Sequence, residues 1–278
     1  MRKFQWSRLY LAVVFVLLYA PILYLVFYSF NDGGTMNSFT GFTWANYTAV
    51  FQDTRLLIIV LNTFMLAFLS ALIATAIGTF GAMAIYYMKK RSTRNAILSM
   101  NNILMVSPDV IIGASFLIFF TMIGSVFKGF SLGFTSVLLS HIAFSIPIVV
   151  LMVLPKLREM NDSMVDAARD LGANQFQVVK NIILPFLTPG IIAGYFMAFT
   201  YSLDDFAVTF FVTGNGFSTL SVEIYSRARQ GISLEINALS TLVFLFSMVL
   251  VVGYYFISKE NTSRRVRKNR QKEVNDLI

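Results

Sequence analysis

The chain has 278 residues, of which 56% are hydrophobic and 13% charged, and its mean hydropathy is +0.69. Soluble domains carry about 25% charged residues, so an ordinary soluble fold is excluded. There is no cysteine and a single histidine, His141, which removes disulfide frameworks, thiolate metal sites and multi-histidine chemistry. The 28 Phe and 13 Met suit lipid-facing and helix-packing surfaces.

Charge-poor runs then count the spans in chain order. The first is Leu9–Asn31, preceded by Arg2, Lys3 and Arg8. Its apolar part is too long for a signal peptide and no small-x-small site closes it, so it reads as an uncleaved anchor. Trp44, Tyr47 and Phe51 follow at near-helical spacing within Asp32–Asp53, which predicts a short helix in the outer interface. The second run, Leu56–Met88, exceeds the ~20 residues a bilayer needs and must tilt or protrude. Ala71, Ala74, Gly78, Gly81 and Ala82 offer it small-residue faces for close packing. The third is about 96–127, interrupted by Ser107-Pro108-Asp109, and the fourth about 132–154, with His141 and Pro147. The fifth is about 184–212, interrupted by Asp204-Asp205, and the sixth about 236–258. The expectation is an all-α integral membrane protein of six helices, with a transmembrane domain over 1–258 and a basic tail over 259–278.

Between the fourth and fifth spans lies a polar island, Asn161–Pro185. Asn161 or Ser163 can cap a helix, and Asp162 and Asp166 sit near the positive end of its dipole. Met164, Val165, Ala167, Ala168 and Leu171 fall on roughly one face. Gly172 supplies a left-handed stop. Asn174 can cap a second helix through Phe176, Val178, Val179, Ile182 and Ile183, which Pro185 is expected to interrupt.

The distribution of basic residues orients the chain. With both termini inside, every Lys and Arg except Arg55, Lys128, Arg227 and Arg229 lies on the inner side. The positive-inside rule therefore puts the termini and the polar island in the cytoplasm. Basic residues just beyond a span lie against anionic lipid or enforce topology, so the tail is not read as a nucleic-acid site.

Carboxylates inside spans are the candidate chemistry. Each costs at least ~2.5 kcal/mol in hydrocarbon and so faces a cavity, a partner or a substrate path. Asp109 lies about 13 residues into its expected span, roughly 20 Å deep at the helical rise. Asp204 and Asp205 lie near the outer end of theirs. Adjacent residues point about 100° apart on a helix, so the two cannot face one cavity equally. The structural alternative is that one of them caps a broken helix or pairs with an arginine.

Asp166-Ala167-Ala168, then Gly172, then Ile183-Leu184-Pro185 resemble the E-A-A loop of binding-protein-dependent ABC importer permeases, with Asp166 in place of the usual Glu. That resemblance implies a coupling helix that docks into a cytoplasmic ATPase, with Asp166, Ala167, Ala168, Gly172, Leu184 and Pro185 as its coupling residues. Tyr201-Ser202-Leu203-Asp204-Asp205-Phe206, Phe211-Val212-Thr213-Gly214 and Ile224-Tyr225-Ser226 are similar to the C-type permeases of spermidine/putrescine importers. So are Ser107-Pro108-Asp109, Leu139-Ser140-His141 and Asp170-Leu171-Gly172-Ala173, and the similarity covers about 9–258.

The resemblance implies a type I ABC importer permease fold in the cytoplasmic membrane. It implies as partners a second homologous permease, two copies of an ABC ATPase and an extracytoplasmic polyamine-binding protein. ATP and Mg would belong to the ATPase. This chain lacks a G-x-x-x-x-G-K-[ST] loop, and it is expected to be no enzyme, with no catalytic residue, metal or cofactor of its own. Asp109, Asp204 and Asp205 are the expected charges on the polyamine path, with Tyr201, Phe206 and Tyr195 as aromatic faces for ammonium groups. Gly214–Glu235, carrying Glu223, Arg227 and Arg229, is the expected contact for the binding protein. An importer of the same architecture for another solute would keep the loop without needing Asp204 and Asp205. An ion-coupled carrier or channel would keep the carboxylates without needing an ATPase.

Overall fold

A computed structural model of the chain describes residues 6–127, 129–231 and 233–249. The expected basic tail, the end of the expected sixth span, and Arg2 and Lys3 lie outside the described residues. Contacts group the chain into two compact units, residues 55–226 and residues 1–54 with 227–278.

In chain order the helices are α1 (Trp6–Tyr28), α2 (Ala45–Gln52), α3 (Thr54–Tyr86), α4 (Arg91–Val106), α5 (Asp109–Val126) and α6 (Phe134–Glu159). They continue with α7 (Asp162–Asp170), α8 (Gln175–Val178), α9 (Leu184–Asp204), α10 (Ala207–Val212) and α11 (Leu220–Gln230). A further apolar helix, α12, covers Leu234–Val249. Among the described residues, backbone pairing outside helices is an isolated antiparallel bridge between Asn31 and Phe42.

Among the described residues, five helical segments are long and apolar enough to cross a membrane: Arg8–Tyr28, Thr54–Tyr86, Asp109–Val126, Phe134–Glu159 and Gln175–Asp204. α12 begins where the sixth span was expected. Two boundaries differ from the sequence reading. The run at 96–127 is two helices, and only α5 qualifies as a span. Pro108 has no N–H to continue a helix and disfavours helical backbone at Ser107, so α4 stops at Val106. Asp109 is consequently the first residue of α5, at the interruption the sequence marked. Pro185, by contrast, does not end its helix. α8, a π turn over Val179–Ile183 and α9 run on as one helix, with Pro185 in the first turn of α9. The wider turn ahead of the proline absorbs the register its missing N–H would break.

In the 55–226 unit α6 is the central helix, and the glycines explain how closely its neighbours approach. On α3, Ala71, Ala74, Thr75, Gly78, Thr79 and Ala82 form one buried stripe. A Cβ on Gly78 would meet Val149 of α6 at 2.7 Å. On α9 the small buried residues recur every four positions: Gly190, Gly194, Ala198 and Ser202. A Cβ on Gly190 would lie 3.1 Å from the Met152 carbonyl of α6, and one on Gly194 would lie 3.3 Å from Val149. Small residues at this spacing let backbones touch where lipid supplies no hydrophobic drive. α10 packs on α5 at Gly113, whose Cβ would meet Phe211 at 2.8 Å and the Ala207 carbonyl at 3.1 Å.

The other unit is built around Asn31. Its side chain donates to the carbonyls of Thr35 and Ser38 and accepts from the Thr40 amide, pinning the loop after α1. Asn46 donates to the Ser29 and Asn31 carbonyls, which ties α2 to the same loop. Of the three aromatics expected on an interfacial helix, Tyr47 is buried against Ser29, whereas Trp44 and Phe51 are exposed. Arg227 pairs with Asp53 at 3.0 Å and with Glu235 at 3.8 Å.

Candidate functional site

The two helix interruptions marked in the sequence meet in space. The Tyr201 hydroxyl on α9 donates to Asp109 Oδ1 at the start of α5, 2.9 Å away. Both residues are exposed at the surface of this chain. Asp204 closes α9 three residues after Tyr201 and is also exposed, and residues three apart on a helix share a face. Asp109, Tyr201 and Asp204 therefore form a carboxylate–phenol–carboxylate patch at the junction of α5 and α9. Phe144 of α6 backs it, its ring edge-on to Tyr201 at 5.0 Å.

Asp205 takes the opposite direction. Its side chain is only 6% exposed, and it accepts from the Val208 and Thr209 amides and the Thr209 hydroxyl. Those amides are the orphan donors at the start of α10, so Asp205 caps the helix that resumes after the break. His141 of α6 completes the arrangement: its Nε2 lies 2.9 Å from Thr209 Oγ1 and 3.4 Å from Asp205 Oδ2. Its Nδ1 lies 2.6 Å from Ser202 Oγ, which in turn lies 3.0 Å from Ser70 Oγ of α3. The sequence reading gave His141 no role. The available signal was a fully buried-looking imidazole, which requires partners for two ring nitrogens, but those partners lie 61 and 68 residues away.

The expected aromatics separate in the same way. Phe206 leads into α10 and packs on Tyr225 of α11 (4.4 Å between ring centres) and on Phe210 (5.4 Å). Tyr195 is half-buried on α9, edge-on to Phe68 at 6.3 Å and stacked near Phe199 at 6.2 Å. The contacts of both rings are with other aromatic rings. On α11, Glu223 is buried and pairs with the exposed Arg55 at 3.4 Å.

The polar island folds as its capping residues dictate. Asn161 accepts from the Ser163 amide at the start of α7. Gly172 takes φ +84° to stop that helix. Asn174 and Gln177 cap each other's backbone amides at the start of α8. Val165 is buried, while Asp166 and Ala167 are exposed, and Leu171 and Phe176 stand out at 89% and 71% exposure. Leu184 is half-buried and Pro185 exposed where the next span begins. Beside α7 lies a cavity of about 580 Å³, between Tyr86, Tyr87 and Arg94 on one side and Asp162, Asp166 and Arg169 on the other. Burial, then Tyr86 and Asp162, push the Tyr87 phenol above its ordinary range against the opposing pull of Arg169, so it stays a neutral donor.

Residues 74–268 match the family model described as binding-protein-dependent transport system inner membrane component. The chain belongs to that family. It is a multi-pass membrane transport subunit, not an enzyme, and the permease fold extends over nearly all of it. The permease is 35% identical over 261 residues to the spermidine/putrescine transport system permease protein PotC of Haemophilus influenzae, covering 94% of this chain and 99% of that one. To PotC of Escherichia coli K12 the identity is also 35%, over 91% and 94% of the two chains. The putrescine transport system permease protein PotI of the same organism is 32% identical, covering 93% of each. Among solved structures, a chain of a bacterial ABC transporter importing the acidic polysaccharide alginate superimposes with a TM-score of 0.72 at 17% identity, over 92% and 94% of the chains. That likeness carries the fold of an ABC importer permease.

Proposed function

We propose that this permease is a half of the translocation pathway of an ATP-driven polyamine importer, and that Asp109, Tyr201 and Asp204 line the path. The observation that carries the reading is the Tyr201–Asp109 contact at the meeting of two broken helices, with exposed Asp204 on the same face of α9. A polyamine is an apolar chain carrying separated ammonium groups. Two carboxylates flanking an aromatic ring suit it, because the ring face and the charges replace water around successive ammonium groups. Backbone broken at membrane depth is tolerated where it lines a cavity, which accords with this placement. The names and extents of the relatives support the same substrate class.

The proposed coupling element is α7 with the Gly172 turn, and its residues Asp166, Ala167, Ala168, Gly172, Leu184 and Pro185 face or support a cytoplasmic ATPase. The termini are proposed to be cytoplasmic from the basic-residue distribution. A second homologous permease, two ATPase copies binding ATP and Mg, and an extracytoplasmic polyamine-binding protein complete the proposed assembly. Closure of the ATPases moves α7, and the spans joined to it expose the Asp109–Tyr201–Asp204 patch alternately to the two sides.

The test is ATP-dependent uptake of labelled spermidine by the reconstituted complex, with ATP hydrolysis measured on the same vesicles. Asp109→Asn and Asp204→Asn should each assemble and hydrolyse ATP yet lose most uptake. Normal spermidine uptake by both variants sinks the path assignment. Wild-type vesicles that ignore spermidine but respond to another loaded binding protein overturn the polyamine reading and leave the importer standing.

A further inference from the structure

The break between α9 and α10 is held by a buried chain of hydrogen bonds whose direction can be worked out. Thr209 Oγ1 has one proton and donates it to Asp205 Oδ2 at 2.7 Å. The contact between Thr209 Oγ1 and His141 Nε2 then needs its proton on the imidazole, so Nε2 is the N–H of the ring. In a neutral ring Nδ1 is the acceptor, and it receives the Ser202 hydroxyl at 2.6 Å. Ser202 Oγ is left to accept from Ser70 at 3.0 Å, a proton that Ser70 shares with the Ala67 carbonyl at 3.2 Å. The chain runs from Ser70 through Ser202, His141 and Thr209 and ends on the Asp205 carboxylate. Ser70, His141, Ser202 and Thr209 are all buried and belong to α3, α6, α9 and α10.

The ring is held by its face as well as its edges. It packs on Phe144 at 4.8 Å between centres, and Phe144 is the ring that backs Tyr201. From His141 one line of contacts runs through Thr209 to Asp205, the residue beside Asp204. Another runs through Phe144 to Tyr201 and so to Asp109.

We infer that His141 is a positioning residue for the substrate path: it keeps Asp205 turned inward so that Asp204 is turned outward, and it sets the Tyr201 ring against Asp109. The inference rests on the path proposed above. His141 touches no substrate. It acts by allowing the broken span a single register, since a slip of one residue at the break would exchange the two aspartates.

The experiment is the number of spermidine molecules imported per ATP hydrolysed, in vesicles carrying the complete complex. His141→Phe keeps the ring volume and the Phe144 contact but removes both edge hydrogen bonds. It should assemble and hydrolyse ATP with that ratio reduced about tenfold, the scale at which residues on a contact network modulate coupling. His141→Gln, which can restore a donor toward Thr209, should recover a substantial part of it. Uptake and hydrolysis falling together with the yield of complex, at an unchanged ratio, would mean that His141 is only a packing residue. If His141→Phe does not assemble, Thr209→Val removes the hydroxyl between ring and carboxylate with little change of volume, and an unchanged ratio there overturns the inference. A wild-type complex that moves a different solute discards the polyamine, and the ratio is then read with that solute.

Discussion

Asp204 and Asp205 are neighbours in sequence with opposite surroundings, one exposed and one capping α10 beside His141. Their substitution should separate stability from transport. Asp205→Ala strands the α10 amides and a buried imidazole, and should lower the stability of the purified complex by roughly 2–4 kcal/mol. Asp204→Ala should stay within about 0.5 kcal/mol, as exposed positions do. Denaturation of both variants in detergent checks this, and equal losses would contradict the assigned geometry. The 100° separation of adjacent helical residues already implied that the pair could not act alike. It could not say which one turns inward, because the deciding partners, His141 and Thr209, arrive through tertiary contact. Asp109 shows the converse. Its charge in an apolar run marked it from sequence, but its contact with Tyr201, 92 residues on, was not readable there.

Among the helices, those ended by capping chemistry were the easiest to read. Asn161, Gly172 and Asn174 do what their side chains and backbone freedom predict, since those interactions close within four residues. Gly172→Ala puts a Cβ into left-handed backbone and should cost about 1 kcal/mol. Because the surroundings of Gly172 are open, the loss should show in the turn, as uptake reduced more than ATP hydrolysis in reconstituted vesicles. Pro185 was misread because the compensating π turn is a register choice made over the whole Gln175–Asp204 helix. The α5–α10 contact was not readable at all, as nothing near Gly113 announces Phe211. Gly113→Ala should displace α10 against tight neighbours and cost about 1–3 kcal/mol, measurable as a lower melting temperature of the complex.

For the entire chain, orientation is the quantity the membrane reads from charge, and it can be tested because the chain has no cysteine. In the proposed topology, Met164→Cys on exposed α7 and Asn37→Cys in the loop after α1 would place single thiols on opposite sides of the membrane. An impermeant maleimide should label Asn37→Cys in intact cells and Met164→Cys only after the membrane is opened. The reverse pattern would invert the proposed topology and remove α7 from ATP.

Composition, apolar run length and the placement of Lys and Arg determined the helical membrane class, most of the spans and the expected inner face. The bilayer responds to sums over some twenty residues, and such sums survive any detail of packing. The motif spacings likewise marked the family, since the loop that carries them is a local object. Tertiary structure alone decided which carboxylates stay exposed, that two helix breaks touch through Tyr201 and Asp109, and that His141 holds one of them. Each of these depends on contacts between residues tens of positions apart, whose partners no local pattern encodes.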